Sequence, residues 1–210
     1  MKKYDLYLFD FDGTLLDTMS ALEYIFSVAY EHVGMKFDPS LTVEYSRIPI
    51  DVGYYRLGGK EENFKAFADR LHEAIDFPES MRRTKPYHDS LEFMEYVRKN
   101  GIATGIVTSN KASHVIDVLN MMDIPLDTFK AYIGNQDYKK FKPHPDPIFE
   151  ALNKIKYTGD VSKVVYVGDG INDTLCANAA GVDAILLDRF DEYQDSDRYT
   201  RIHGLMDLFK

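Results

Sequence analysis

The sequence predicts an α/β fold, a Rossmann-like parallel sheet core with an inserted all-helical cap domain. Three observations carry this. Apolar runs at Tyr4–Phe9, Ile102–Val107 and Lys163–Gly168 each stop abruptly in polar, chemically useful residues. Helical patterns separate the later runs, at lengths that suit right-handed crossovers between parallel strands. The interval 17–86 breaks that rhythm and shows helical spacing without a convincing strand.

Taken in order, the first strand is placed at 4–9 and runs into Asp10-Phe11-Asp12-Gly13-Thr14, with Gly13 marking the turn. In the insert, Ser20–Glu31 places Leu22, Ile25, Phe26 and Ala29 at helical spacing, and Ser20 with Glu23 forms a capping box. Glu61–Ile75 repeats the pattern with Phe64, Phe67, Leu71 and Ile75. Breaks fall at Asp38-Pro39 and Gly58-Gly59. The core resumes at 87–210, joining 1–16, with helices over Ser90–Lys99, Ala112–Met122, Pro147–Ile155 and Asp173–Ala180. Gly181 ends the last of these. The remaining strands are placed at 102–108, 130–133, 163–168 and 183–187. An insert joined to the core by two crossings suits a lid.

Two carboxylates at a strand end, Asp10 and Asp12, cost desolvation and like-charge repulsion. A divalent cation such as Mg²⁺ removes that objection, because hard oxygen donors can share it and leave a carboxylate able to attack an electrophile. Thr108 and Ser109 follow the second run, where a strand turns toward a helix and backbone N–H groups favour an anion. Lys142 opens FKPHPDPIF, where Pro143, Pro145 and Pro147 fix the loop. Asp169 and Asp173 follow the third run. In an open α/β sheet these strand-end groups converge in one cleft.

Composition narrows the classes. The 210-residue chain is 45% hydrophobic with both charge signs interspersed, as in an ordinary globular protein. A formal net charge of −9 without a basic block argues against nucleic acid as a partner. It also requires local positive groups to outweigh the overall field if the substrate is anionic. No span approaches a membrane helix and no leader is visible, so no membrane role and a cytoplasmic location are expected. The single cysteine, Cys176, excludes an internal disulfide and sits in a small-residue run as a core thiol.

DFDGT at 10–14, Thr108 at a strand end, Lys142 before a proline and GDGIND at 168–173 together resemble the haloacid dehalogenase-like phosphatases. The resemblance covers nearly the whole chain. KPHPDP (142–147) and GDGINDTLCANAAG (168–181) are most similar to the phosphoglycolate phosphatase-like group with a helical cap. It implies a Mg²⁺-dependent phosphatase of a small phosphorylated metabolite, phosphoglycolate-like or a sugar phosphate; the sequence leaves open whether it is a monomer or homodimer. By resemblance, Asp10 is the nucleophile and Asp12 the general acid and base, its backbone carbonyl facing Mg²⁺. The residues alone leave the roles of these two aspartates open. Thr108 and Lys142 would stabilise the phosphoryl charge, with Gly13, Thr14, Ser109 and Asn110 binding phosphate. The metal set implied is Asp10, Asp12, Asp169 and Asp173.

Neighbouring groups receive plainer roles. Lys139 and Lys140 are expected to be solvated, and His144 and Asp146 to shape their loop. Arg47, Arg56 and Lys60 are insert cations that could meet a second anionic group or simply face solvent. Gly170 stands where this group commonly has Ser, and Arg47 precedes Ile48-Pro49 where it often has a small glycine turn. The enzymatic rival is a β-phosphoglucomutase-like shuttle. Those relatives usually carry Glu at the position of Gly168 and lack the later aspartate that Asp173 supplies. A non-catalytic phosphate-binding module would have lost Asp10 or the metal carboxylates. A dehalogenase lacks the marks that Asp12 and Thr14 supply.

Overall fold

The computed structural model describes residues 2–210. It divides into two compact units: the residues up to Leu16 with Pro86–Lys210, and Asp17–Lys85. Strand β1 (Leu6–Phe9) opens the first unit, and β2 (Leu16–Asp17) leads out of it. The second unit carries α1 (Met19–His32), α2 (Thr42–Ser46), α3 (Ile50–Arg56), α4 (Glu61–Ile75) and α5 (Pro78–Arg83). After β3 (Lys85–Pro86) come α6 (His88–Lys99), β4 (Thr104–Val107), α7 (Ala112–Met121) and β5 (Tyr132–Ile133). The chain ends through α8 (Asp146–Ile155), β6 (Val164–Gly168), α9 (Ile171–Ala180), β7 (Asp183–Leu187) and β8 (Thr200–Ile202).

The main sheet has the order β5-β4-β1-β6-β7-β8, and every pairing in it is parallel. From β1 the chain builds outward through β4 and β5, then returns to β1's other side and builds through β6, β7 and β8. The strand order therefore reverses beside β1, the position where open α/β sheets place their sites. Register sets the heights: Phe9 lies opposite both Ile106 and Val167. Asp10 is one residue past that level, Thr108 two residues past Ile106, and Asp169 two past Val167.

All four residues of β1 are buried, as expected for a central parallel strand covered on both faces. Side chains alternate across the sheet. Leu6 and Leu8 join Val107, Ile133, Tyr166, Ile148 and Ala177 in one apolar cluster. Phe9, on the other face, packs its ring 4.8 Å from that of Phe93 on α6. The helical unit has a separate core in which Tyr30, Tyr54 and Phe67 meet with ring centroids 4.6–6.3 Å apart.

Three local expectations are corrected. Helix α1 begins at Met19, so Ser20 lies inside its first turn and makes no capping box with Glu23. The Asp17 carboxylate accepts the Met19 N–H at 3.1 Å instead. Helix α9 starts at Ile171 rather than Asp173, because Gly170 is the extended residue before it and the Asp173 carboxylate reaches back to the Gly170 N–H at 3.1 Å. Strands β2 and β3, which pair with each other, were not expected, and neither was β8. Strand β8 is a three-residue edge strand behind a charged loop, too short to show a period. Among the described residues, no helix is long and apolar enough to cross a membrane.

Candidate active site

The turn after β1 is built by two demands, a left-handed residue and a close approach. Gly13 takes φ +79°, and a Cβ built there would overlap the Asp169 carboxylate. Glycine meets both demands. Its N–H bonds the Leu16 carbonyl at 2.8 Å, while the Thr14 hydroxyl donates to Asp169 Oδ1 at 2.7 Å. These two groups, expected to bind phosphate, are thus engaged inside the fold and frame the turn and Asp169. The Phe11 N–H donates to Asp10 Oδ1 at 2.8 Å.

Lys142 bridges the carboxylates that follow β1 and β6. Its ammonium lies 3.0 Å from Asp10 Oδ1 and 2.9 Å from Asp173 Oδ1, and its side chain is only 5% exposed. Carboxylate oxygens of Asp10, Asp169 and Asp173 all lie within 4.8 Å of one another. Three carboxylates facing one ammonium leave an excess of negative charge in a poorly hydrated place, and the protonation equilibria register it. Burial pushes the Asp10 carboxyl well above the usual range; Lys142 pulls it back, while Asp173, Asp169 and Asp12 push it further up. Burial, then the Asp173 charge, raise Asp169 to about 6. Burial alone would lower the Lys142 pKa, but Asp10 and Asp173 outweigh it and hold the ammonium charged. Crowded hard oxygen donors with uncompensated charge fit a divalent cation of the Mg²⁺ type.

Asp12 stands in a different setting. It accepts the Asn110 side-chain amide at 2.7 Å. Burial raises its pKa, and the field of His114, the Asn110 bond, Lys142 and Thr108 hold it back. Asn110, expected to bind phosphate, is therefore turned onto Asp12. Thr108 is buried, and its hydroxyl accepts the Asn110 N–H at 3.0 Å. Ser109 is exposed beside it, and its carbonyl accepts the Asn135 side-chain amide at 3.1 Å.

Lys139 and Lys140 are exposed. His144, in the loop, and Asp146, the first residue of α8, pair with each other at 2.9 Å. In the helical unit, Arg56 pairs with Glu44 at 3.0 Å. Cys176 is buried, donates to the His144 carbonyl at 3.1 Å, and has its thiol pushed up to about 12 by burial.

Sequence reasoning missed two tyrosines. Tyr166 places its hydroxyl 2.9 Å from the Val107 carbonyl and 3.2 Å from Asp173 Oδ1, with Lys142 Nζ 5.2 Å from its ring centre. Tyr138 donates to the Thr108 carbonyl at 2.9 Å. The available signal for Tyr166 was a polar-tipped ring inside an otherwise apolar strand, since a buried tyrosine hydroxyl usually has a partner.

The open parallel sheet thus brings strand-end carboxylates and one buried lysine together at its reversal. The family model described as "Haloacid dehalogenase-like hydrolase" matches residues 7–187, and the chain belongs to that family. A curated relative from Caldanaerobacter subterraneus subsp. tengcongensis, named "Putative pyrophosphatase PpaX", is 26% identical over 85% of this chain and 79% of its own. A phosphoglycolate phosphatase from Yersinia pseudotuberculosis is 27% identical over 84% of this chain and 78% of its own. Among solved structures, the "Putative haloacid dehalogenase-like hydrolase" from Bacteroides fragilis shares the fold. Its TM-score is 0.81 at 24% identity, covering 98% of this chain and 100% of that one.

Proposed function

We propose that the protein is a Mg²⁺-dependent phosphatase that hydrolyses a small phosphorylated metabolite through an aspartyl-phosphate on Asp10. The observation that carries this is the placement of one buried ammonium, Lys142, between Asp10 and Asp173, with Asp169 alongside. Asp10, Asp169, Asp173 and the Asp12 backbone carbonyl would hold the cation. When bound, Mg²⁺ supplies positive charge that offsets the carboxylates and the substrate phosphate.

The chain's own residues supply the rest. An Asp10 carboxylate oxygen attacks phosphorus, the bond from phosphorus to the leaving oxygen breaks, and Asp12 gives its proton to that oxygen. Asp12, held up by burial, is suited to carry a proton at that stage. The resulting Asp12 carboxylate then takes a proton from water, whose oxygen attacks phosphorus. The bond to Asp10 breaks and inorganic phosphate leaves. Lys142 and Thr108 stabilise charge on the phosphoryl oxygens. Asn110 keeps Asp12 aimed through its 2.7 Å bond.

The mutase alternative is disfavoured by Gly168. A Cβ built there would overlap the Asp173 carboxyl group, so glycine at 168 and Asp173 belong together. The helical unit, 17–85, is assigned as the cap that sets substrate choice. Relatives named for phosphoglycolate and for pyrophosphate place both compounds at the head of the test panel.

The experiment is phosphate release from phosphoglycolate, pyrophosphate and sugar phosphates in Mg²⁺, with wild type and Asp10→Asn in parallel. Turnover by wild type, lost at least roughly 10³-fold in a folded Asp10→Asn variant, is expected. Comparable turnover by both would remove Asp10 as the nucleophile, and equal activity in EDTA would remove the metal.

A further inference from the structure

Beyond the strand-end cluster, one largely buried cation is placed where it can govern the geometry of the cluster. Strand β7 ends at Leu187 and is followed by Asp188 and Arg189. The Asp188 carboxylate is 1% exposed and accepts the N–H groups of Glu192 and Tyr193 at 2.9 and 3.0 Å, with Arg201 Nη1 at 3.1 Å. That knot fixes the start of the loop next to Arg189.

Arg189 itself is 11% exposed and spans two distant stretches of chain. Nη1 donates to Asp89 Oδ1 at 2.7 Å and Nη2 to the Thr14 carbonyl at 2.9 Å, while the guanidinium lies 4.1 Å from the ring centre of Tyr87. The other Asp89 oxygen accepts the Leu205 N–H at 2.8 Å. Thr14 precedes the first crossing into the helical unit, and Tyr87 and Asp89 follow the second. Thr14 is fully buried, and its hydroxyl is the group that holds Asp169 Oδ1. A continuous path therefore runs Asp89, Arg189, Thr14, Asp169. The guanidinium Nε has no hydrogen-bond partner among the described residues. Here the fork is spent on spanning Asp89 and Thr14.

We infer that Arg189 is a positioning residue: by gripping the Thr14 carbonyl against Asp89 it sets the aim of the Thr14 hydroxyl, and through it the Asp169 carboxylate. The inference rests on the reading of Asp169 as a metal carboxylate. Lysine cannot replace the grip, because a compact ammonium lacks the planar fork that reaches two separated acceptors.

The test measures Mg²⁺ affinity by calorimetry for wild type, Arg189→Met, Arg189→Lys, Thr14→Val and the Arg189→Met/Thr14→Val pair. Amide hydrogen exchange at Leu15 and Leu16 is followed on the same proteins. Arg189→Met should weaken Mg²⁺ binding about tenfold, in the range seen when groups behind metal ligands are removed. It should lower kcat in step while substrate KM changes less than about twofold, and Arg189→Lys should recover only part of the loss. Exchange at Leu15 and Leu16, whose N–H groups both bond the Phe11 carbonyl, should speed up in Arg189→Met. The double variant should bind Mg²⁺ no more weakly than Thr14→Val alone, because both act along one path. Wild-type affinity and exchange in Arg189→Met, or losses that add in the pair, overturn the inference. A wild type that binds no Mg²⁺ overturns the metal reading and this relay together; wild-type binding with an unaltered Arg189→Met removes the relay alone. If Arg189→Met does not fold, Asp89→Asn should show a smaller loss of the same sign, and no loss there counts against the inference.

Discussion

The two units of this chain bury different things. The helical unit gathers Tyr30, Tyr54 and Phe67 with aliphatic neighbours, and its charged groups stay outside that core. The carboxyl end of the sheet buries Lys142 among Asp10, Asp169 and Asp173 at positions where apolar residues would fold more easily. Apolar burial is favourable by itself, whereas buried carboxylates persist only with partners. The first region is thus arranged for stability. The second accepts a stability cost for chemistry, which makes substitutions in the two regions diverge in kind.

The sharpest contrast is Lys142→Ala. Removing the one ammonium should lower turnover roughly 10²-fold and leave three carboxylates facing one another, destabilising the metal-free protein by about 3–5 kcal/mol. Phosphate release and urea melts with EDTA check both, and a melt matching wild type would break the contrast. In the other region, Phe67→Ala should cost about 3–5 kcal/mol by leaving a cavity. Mg²⁺ affinity measured by calorimetry should stay unchanged there, because no charge is touched.

Asp169→Asn should act in the opposite direction on stability. The Asp169 pKa is raised to about 6 in the folded chain, so its contribution is full below the ordinary carboxylate value and lost as pH rises through about 6. Without metal, the variant should therefore match wild type near pH 4 and exceed it by roughly 1–3 kcal/mol at pH 7. Adding Mg²⁺ should raise the wild-type melting temperature at pH 7 and leave the variant's almost unmoved. A variant less stable than wild type at pH 7 in EDTA would contradict the crowding described for this cluster.

The smallest effect belongs to Tyr30→Phe. The Tyr30 hydroxyl is buried with no hydrogen-bond partner among the described residues. Deleting it should be neutral or stabilise by up to about 1 kcal/mol in thermal melts, since an unpaired buried hydroxyl carries a desolvation cost. A loss above that would reveal a partner for the hydroxyl.

Much of this was legible because the periods were long and the strand ends chemically marked. The apolar runs placed the central strands, and DFDGT, Lys142 and GDGIND placed the groups that now face one another. Boundaries were less legible where local competition decides them. Ser20 and Glu23 had the spacing of a capping box, yet the Asp17 carboxylate captured the helix start. The bonds that Asn110, Gly13 and Thr14 make to Asp12, Leu16 and Asp169 were not legible either, because those partners come from chain distant or folded back, which spacing does not encode. Arg189 carried no signal at all, since its partners, Thr14 and Asp89, lie far from it in sequence.

The close fit of Gly168 to Asp173 also bears on how such an enzyme can change. Any side chain at 168 meets the Asp173 carboxyl group, so the two positions form an epistatic pair. A lineage drifting toward a glutamate at 168 would have to lose Asp173 first, and with it one partner of Lys142.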